Sequence, residues 1–255
     1  MTVSPQFDLQ LACSDTDVVA AQCLRYQVFV AELGGTPDGV DHAAGQETDA
    51  FDAHADHLLL RDLTRRADDQ VIGVYRLMNR AQADAAGGFS SAAEYDLTPL
   101  LAGGRKLLEL GRSCLHPDYR GGVAMHHLWQ GLAAHVRQQK IEILFGVASF
   151  HGADASRHAA ALAHLHQSYL APPKLRPVAK GAGAVPQDDL TLADKNRKEA
   201  VAAIPPLIKA YLRLGGMVGD GAYRDQAFNT TDVCMVVDVN QMPDRLRAQY
   251  ADGAL

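Results

Sequence analysis

Glu109 and Arg112 stand three residues apart in an otherwise apolar stretch, LLELGRSCL, and a glycine turn, Arg120-Gly121-Gly122, follows shortly after. A carboxylate and a guanidinium in such a segment either take part in chemistry or neutralise other charges, because an unpaired buried charge is very costly. Residues three apart on an ideal strand point to opposite faces, so only a bulge brings these two together. The alternative is one solvated charge and one structural ion pair. Arg76, within VIGVYRLM, raises the same question, and Asp49, Asp52 and Glu109 are its candidate partners. In the turn, glycine tolerates positive φ and lets backbone approach a ligand, so free amides at a helix start can hold a phosphate.

These residues need particular elements to position them. Residues 106–115 are extended in character, and His116-Pro117 ends the run. Val123, Leu128, Leu132 and Val136, with Trp129 alongside, recur at helical spacing, and residues 141–147 return as a buried strand. The result is a βαβ unit with a phosphate-friendly turn. Upstream, residues 7–11 alternate as a short strand. Ser14 and Asp17 then signal a capped helix to about Leu33, with Val19, Cys23, Tyr26 and Val30 as its expected buried stripe. Residues 34–45 read as a loop, 57–63 and 70–78 as paired strands, and 79–104 as a soft region with a short helix. A helix is expected over 155–169, stopped by Pro172-Pro173. Residues 171–203 hold an exposed excursion, read as a lid or substrate-binding insertion within one domain spanning 1–255. A helix at 204–214 and a strand at 233–239 complete a mixed α/β chain.

Composition excludes several classes. A net charge of −6 argues against nucleic acid as a partner. No apolar run approaches the ~20 residues of a membrane span, and the first thirty residues carry Asp8, Asp15 and Asp17 without a basic start, so no secretory signal is expected. The expected location is cytoplasmic. Cys13, Cys23, Cys114 and Cys234 form no CxxC pair and are expected to be reduced. His54 and His57, and the group His158, His164 and His166, lack the spacing of a metal site, so no metal is expected. Ser149 lies in ASFHG, which does not support a serine-hydrolase elbow.

The strand, HPDYRGG turn, helix and strand together resemble the GCN5-related N-acyltransferase superfamily. That resemblance implies a central mixed sheet with two splayed strands, flanked by helices, and a pantetheine thioester lying in the split. The turn departs from the superfamily's R-x-x-G-x-G/A pattern, since Val123 and Met125 occupy its glycine positions. The departure weakens a coenzyme A pyrophosphate site and asks less of a single phosphate, such as phosphopantetheine on an acyl carrier protein. RYQVF at 25–29, DAFD at 49–52, Arg76 and ELGR at 109–112 are similar in order and spacing to acyl-homoserine-lactone synthases. ELGRSC-x-HPDYR, FG-x-ASF-x-G, YLAPP, PPLIKAYLRLGG and DQAFNTTDV resemble the bacterial L-ornithine Nα-acyltransferases of ornithine-lipid synthesis, over nearly the whole chain.

This resemblance implies transfer of a 3-hydroxyacyl chain from acyl carrier protein to the α-amine of L-ornithine, forming lyso-ornithine lipid with no bound cofactor. Glu109 would orient or deprotonate the amine, directly or through water. Backbone amides at Ser113, Cys114 and Leu115 would hold the oxyanion, and Cys114, Arg120, Gly121 and Gly122 would line the pantetheine arm. Tyr169 would protonate the leaving thiolate, or else is a core residue. Arg112 or Arg76 would hold the ornithine carboxylate, and Asp49 or Asp52 its side-chain ammonium; equally, the four form a structural ion network. Arg25 and Phe29 would border the carrier or acyl chain, or pack the helix on the sheet. Lys174, Arg176 and Lys180 form a candidate docking patch for an acidic carrier, or are solvated charges. The lipid product gives a reason for peripheral contact with the inner membrane. Other readings are acylation of a different amine, as in lactone-signal synthesis or with another amino acid, and a non-catalytic module that binds an acyl carrier or lipid.

Overall fold

The computed structural model describes residues 4–186 and 197–243. Nine strands form its main sheet: β1 (Phe7–Leu11), β2 (Asp56–Asp62), β3 (Val71–Asn79), β4 (Leu107–Leu115), β5 (Ile143–His151), β6 (Ala184–Val185), β7 (Met217–Val218), β8 (Ala222–Asp225) and β9 (Thr230–Asp238). Their order is β1-β2-β3-β4-β5-β9-β8-β6, with β7 also on β9. β4 and β5 pair in parallel, as a strand-helix-strand crossover requires, whereas β9 returns antiparallel to β5.

The β4–β5 ladder is short. Leu107, Leu108 and Glu109 pair with Ile143, Leu144 and Phe145, and there the pairing ends. Two local features mark this end. A Cβ on Gly146 would lie 2.1 Å from the Leu110 carbonyl oxygen, so the close approach demands glycine. On the other side of β4, Val74 pairs with Cys114 but Arg76 with Gly111, so β4 carries one extra residue. Arg112 absorbs it with φ of 50°, a conformation disfavoured for a long side chain. The bulge returns Arg112 to the Glu109 face, and Leu108 and Leu110 pack on the opposite one.

On that opposite face lie α2 (Ala124–Gln139), α3 (Ala159–Tyr169) and α5 (Pro206–Arg213), and between the last two runs α4 (Arg197–Ala203). Leu128, Trp129 and Leu132 of α2 pack there with Leu58, Tyr75 and Leu77 in the largest apolar cluster. A fully buried side chain of this kind contributes about 1.5–3 kcal/mol. The Glu109 face carries two smaller clusters. α1 (Asp15–Arg25), continued by a wider helical turn at Tyr26–Glu32, sets Ala21, Leu24 and Val28 on Leu59, Val74 and Cys114. Further along, Phe89, Tyr95 and Leu97 cover Leu107, Phe145 and Cys234.

Two expectations are corrected, and part of the excursion is placed. The buried stripe of α1 is Ala21, Leu24, Arg25 and Val28, joined by Val30, whereas Val19 is 39% exposed; this face buries a guanidinium, which apolar spacing passes over. Val123 precedes α2 and is 61% exposed rather than part of its stripe. The described part of the excursion is built into the fold: Val178–Ala179 pairs with Tyr95–Asp96, and Ala184–Val185 is an edge strand. Residues 187–196 of that excursion lie outside the described residues.

Candidate active site

Six charged side chains close a ring beside the splayed strands. Arg25 Nε donates to Glu47 Oε2 (2.5 Å), and Glu47 Oε1 accepts from Arg112 Nε (3.2 Å). Arg112 Nη2 reaches Asp49 Oδ2 (2.8 Å), and Arg76 Nη1 donates to Asp49 Oδ1 (2.6 Å). Arg76 Nη1 also meets Asp52 Oδ1 (3.4 Å), which accepts from Arg25 Nη1 (2.7 Å). Charges of opposite sign alternate, so the ring is neutral and each acid lies between two guanidinium groups. Burial alone would raise Asp52, but hydrogen bonds and charge from Arg25 outweigh it and hold the carboxyl well below the usual range. Arg25 is 0% exposed, whereas the Arg112 side chain keeps 20% of its surface. Its guanidinium carbon lies 4.6 Å from the centre of the Phe228 ring, which in turn packs edge-on against Phe29.

Glu109 is buried next to this ring but belongs to a different set of bonds. Its Oε1 accepts from Ser91 N (2.7 Å) and Ser91 Oγ (2.6 Å), and its Oε2 accepts from Ser90 N (3.0 Å). It therefore pins the turn at Ser90–Ala93, and Glu94 follows directly. Glu94, Asp225 and Asp232 bring carboxylate oxygens within 4.8 Å of one another. Burial, then the neighbouring Asp232 and Asp225, push the Glu94 carboxyl up to about 9. Burial also pushes Asp232 up to about 6. Asp225 Oδ1 accepts from Ala227 N (2.8 Å) and Phe228 N (3.1 Å), shaping the loop that carries the Phe228 platform.

On the other face, a narrow opening at the split is lined by Leu110, Leu144, Gly146, Tyr211 and Met235. The Tyr211 hydroxyl bonds to that of Tyr75 (3.0 Å), and Ser113 adjoins Tyr75. Tyr169 instead packs at the end of α3 against His164. Cys114 is an apolar contact of α1 whose thiol burial pushes up to about 12, and Leu115 is core. The glycine turn opens on a recess of about 410 Å³ bordered by Arg65, Tyr119, Arg120, Gly122 and Val123. No side chain caps α2, which leaves its first amides available to an anion. Arg120 is engaged by both oxygens of Glu32 (2.5 and 2.7 Å) and by the Leu115 carbonyl. Lys174 and Lys180 are exposed, whereas Arg176 is tied to the Ala171 carbonyl (2.7 Å).

Residues 24–130 match the model of the acetyltransferase (GNAT) domain. Over 254 residues, 98% of this chain and 97% of the relative, the sequence is 48% identical to L-ornithine Nα-acyltransferase of Rhodobacter capsulatus. The chain belongs to the L-ornithine Nα-acyltransferase family. It is accordingly an N-acyltransferase. Its fold is also similar to that of FeeM, an N-acyl amino acid synthase from uncultured soil microbes, with a TM-score of 0.53, 12% identity and 93% of each chain covered. The acyl-homoserine-lactone synthase LasI aligns with a TM-score of 0.51 and 15% identity, over 93% of this chain and 92% of that one.

In this member of the L-ornithine Nα-acyltransferase family, Glu109, Arg112, Arg76, Asp49, Asp52, Arg25 and Phe29 do gather at one place. Tyr169, Lys174, Arg176 and Lys180 lie apart from them, with no described bond to any of the seven. Sequence reasoning missed Glu47, Glu94, Asp225, Asp232 and Tyr211. Glu47 could have been found by counting: three arginines on buried segments call for three acids. Asp225 and Asp232 sit in the DQAFNTTDV motif, and Tyr211 in PPLIKAYLRLGG, so their segments were singled out even though the residues were not.

Proposed function

We propose that the protein transfers a 3-hydroxyacyl chain from the phosphopantetheine arm of an acyl carrier protein to the α-amine of L-ornithine. The observation that carries this reading is the early end of β4–β5 pairing, which opens an apolar split with a carboxylate and a partly exposed guanidinium at its rim. The thioester carbonyl would enter the split with the pantetheine phosphate at the amides that open α2. Arg112 would take the acceptor's carboxylate, for which a guanidinium fork is well shaped. Glu109 has about four lone-pair positions, of which Ser90 and Ser91 use three, and the remaining one on Oε2 would orient the amine and accept its proton, directly or through water. Nitrogen then bonds to the carbonyl carbon, amides at 113–115 hold the oxyanion, and the C–S bond breaks as the thiolate takes up a proton. Tyr211 is better situated than Tyr169 to supply that proton, because it lines the split.

Among the described residues no helix is long and apolar enough to cross a membrane. Release of a one-chain lipid supports peripheral contact at the inner membrane surface, and the exposed Lys174 and Lys180 offer a modest basic face to an acidic carrier.

The deciding assay offers purified protein a 3-hydroxyacyl carrier protein with ornithine, lysine, glycine, glutamine and S-adenosylmethionine in competition, and reads products by mass spectrometry. Acyl-ornithine alone is expected; acylation of another amine, or carrier binding without product, would overturn the reading. Glu109→Gln should lower kcat by about 100-fold while leaving carrier binding intact, and unchanged turnover would remove Glu109 from the mechanism.

A further inference from the structure

Four carboxylates, Glu94, Asp225, Asp232 and Glu109, converge at the rim, and Arg112 is the cation that acts on Glu94 and Asp232. Asp232 is 3% exposed, yet its Oδ1 has no hydrogen-bond partner, and Glu94 Oε2 is likewise buried and unpartnered. A buried carboxylate oxygen facing other carboxylates without a donor is unfavourable. The fold's provision is partial: the hydroxyls of Ser149 and Thr230 favour the ionised Asp232 carboxyl but leave Oδ1 without a donor, and Tyr95 Oη bonds the Asp232 backbone carbonyl (2.9 Å) rather than the side chain. Ser149 flanks Asp232 on the neighbouring strand and favours its ionised form. What these convergent oxygens lack among the described residues is a positive charge carrying several N–H donors. A primary ammonium brings one charge and three donors, matching three convergent oxygens.

We propose that Glu94, Asp225 and Asp232 form the subsite for the side-chain ammonium of the acceptor, so that the enzyme selects a diamino acid over its one-amine isostere. The inference rests on the ornithine reading above and deepens it. Arg112, which bounds the cluster and keeps exposed surface, fixes the acceptor's carboxylate; the acids fix the far end of its chain, leaving the α-amine between them at Glu109. Specificity of this kind is strong because an acceptor lacking the second amine leaves the buried carboxylates unpaired.

The test compares ornithine with norvaline, which has the same carbon chain without the side-chain amine, in wild type, Asp232→Asn and Glu94→Gln. Each variant should raise KM for ornithine by about 10-fold, leave KM for the acyl carrier unchanged, and lower the ornithine-to-norvaline ratio of kcat/KM to the same extent. Asp232→Asn removes a charge that faces other acids, and Glu94→Gln keeps that side chain uncharged at every pH, so both variants should melt at or above the wild-type temperature, which separates this outcome from misfolding. An unchanged ratio, or equal losses on both acceptors, overturns the proposal. So does calorimetric binding of Mn²⁺ that depends on Asp232 while ornithine fails to compete with it. Calorimetry with 1,4-diaminobutane and no acyl donor distinguishes the two readings: binding that Asp232→Asn abolishes supports the subsite even if ornithine is not acylated, and no binding to the wild type counts against it.

Discussion

Two clusters of ionisable side chains sit close together at the splayed strands, and they are built on opposite principles. In the ring of Arg25, Glu47, Arg112, Asp49, Arg76 and Asp52, every acid has two basic neighbours and the net charge is zero. Around Glu94, Asp225 and Asp232, acids face one another and oxygens stay unpartnered. A buried charge is tolerated when its partners and hydrogen bonds are complete. The ring is therefore self-sufficient: it ties α1, the 46–52 loop, β3 and β4 together and needs no ligand. The acidic cluster is incomplete without one. Arg112 takes part in both, held by Glu47 and Asp49 and acting on Glu94, and its left-handed backbone is what turns it toward this shared position.

The largest effect should come from breaking the ring. Arg25→Met removes a fully buried guanidinium and leaves Glu47 and Asp52 short of a partner, which should destabilise the fold by about 3–5 kcal/mol in chemical denaturation. Asp232→Asn, although equally buried, should cost nothing or stabilise. Equal losses from the two variants would show that the clusters do not differ in kind. A smaller effect is expected at the shared residue. Lysine cannot reproduce the fork that serves Glu47 through Nε and Asp49 through Nη2. Arg112→Lys should cost about 1 kcal/mol of stability and raise KM for ornithine by about 10-fold, with KM for the carrier unchanged. An effect on stability alone would confine Arg112 to the ring.

Much of the scaffold was legible because it follows from local rules. Pro117, the glycine turn and the apolar spacing of α2 announce a strand-turn-helix-strand unit, and the structure has one. The cost of burying Arg76 led to Asp49, Asp52 and Glu109 as candidate partners; the first two are bonded to it, whereas Glu109 accepts from Ser90 and Ser91 instead. The bulge was the one way for Glu109 and Arg112 to share a face, and the extra residue is at Arg112. The buried face of α1 was not legible, because it carries Gln22 and Arg25 and hydrophobic periodicity counts only apolar residues. Strands of two residues, such as Ala184–Val185, are too short to show any period, so the excursion read as loose. The acidic cluster was hidden for a third reason. Its members come from the segment after the 90–93 turn, from β8 and from β9, and each alone is an ordinary acid; only tertiary convergence makes them a group.

The finest distinction between the clusters is the sign of their pH dependence. Asp52 titrates below its ordinary 3.8 in the folded chain, so the stability it contributes is present above that value and lost as acid brings the pH down through its lowered folded value. Asp232 and Glu94 behave in the opposite sense. Burial first, then Asp225, raises Asp232 from 3.8 to about 6 against Ser149, Thr230 and Arg112, and burial, then Asp232, Asp225 and Glu109, raises Glu94 from 4.5 to about 9 against Arg112. Their contribution is full at low pH, and it is lost as pH climbs through about 6 and then about 9. Glu94 keeps part of its surface in solvent, so screening reduces the loss to about 1 kcal/mol. For a domain of this size that is roughly 2–4 °C in Tm. Melting followed from pH 5 to pH 9 should fall more steeply for wild type than for the Asp232→Asn, Glu94→Gln double variant, and the difference between the two curves removes the contribution of every other titrating group. Saturating ornithine should flatten the wild-type curve toward that of the variant, since an ammonium among the acids replaces the proton they otherwise retain. Parallel curves would mean that the acids are already compensated, and the contrast with the ring would be gone.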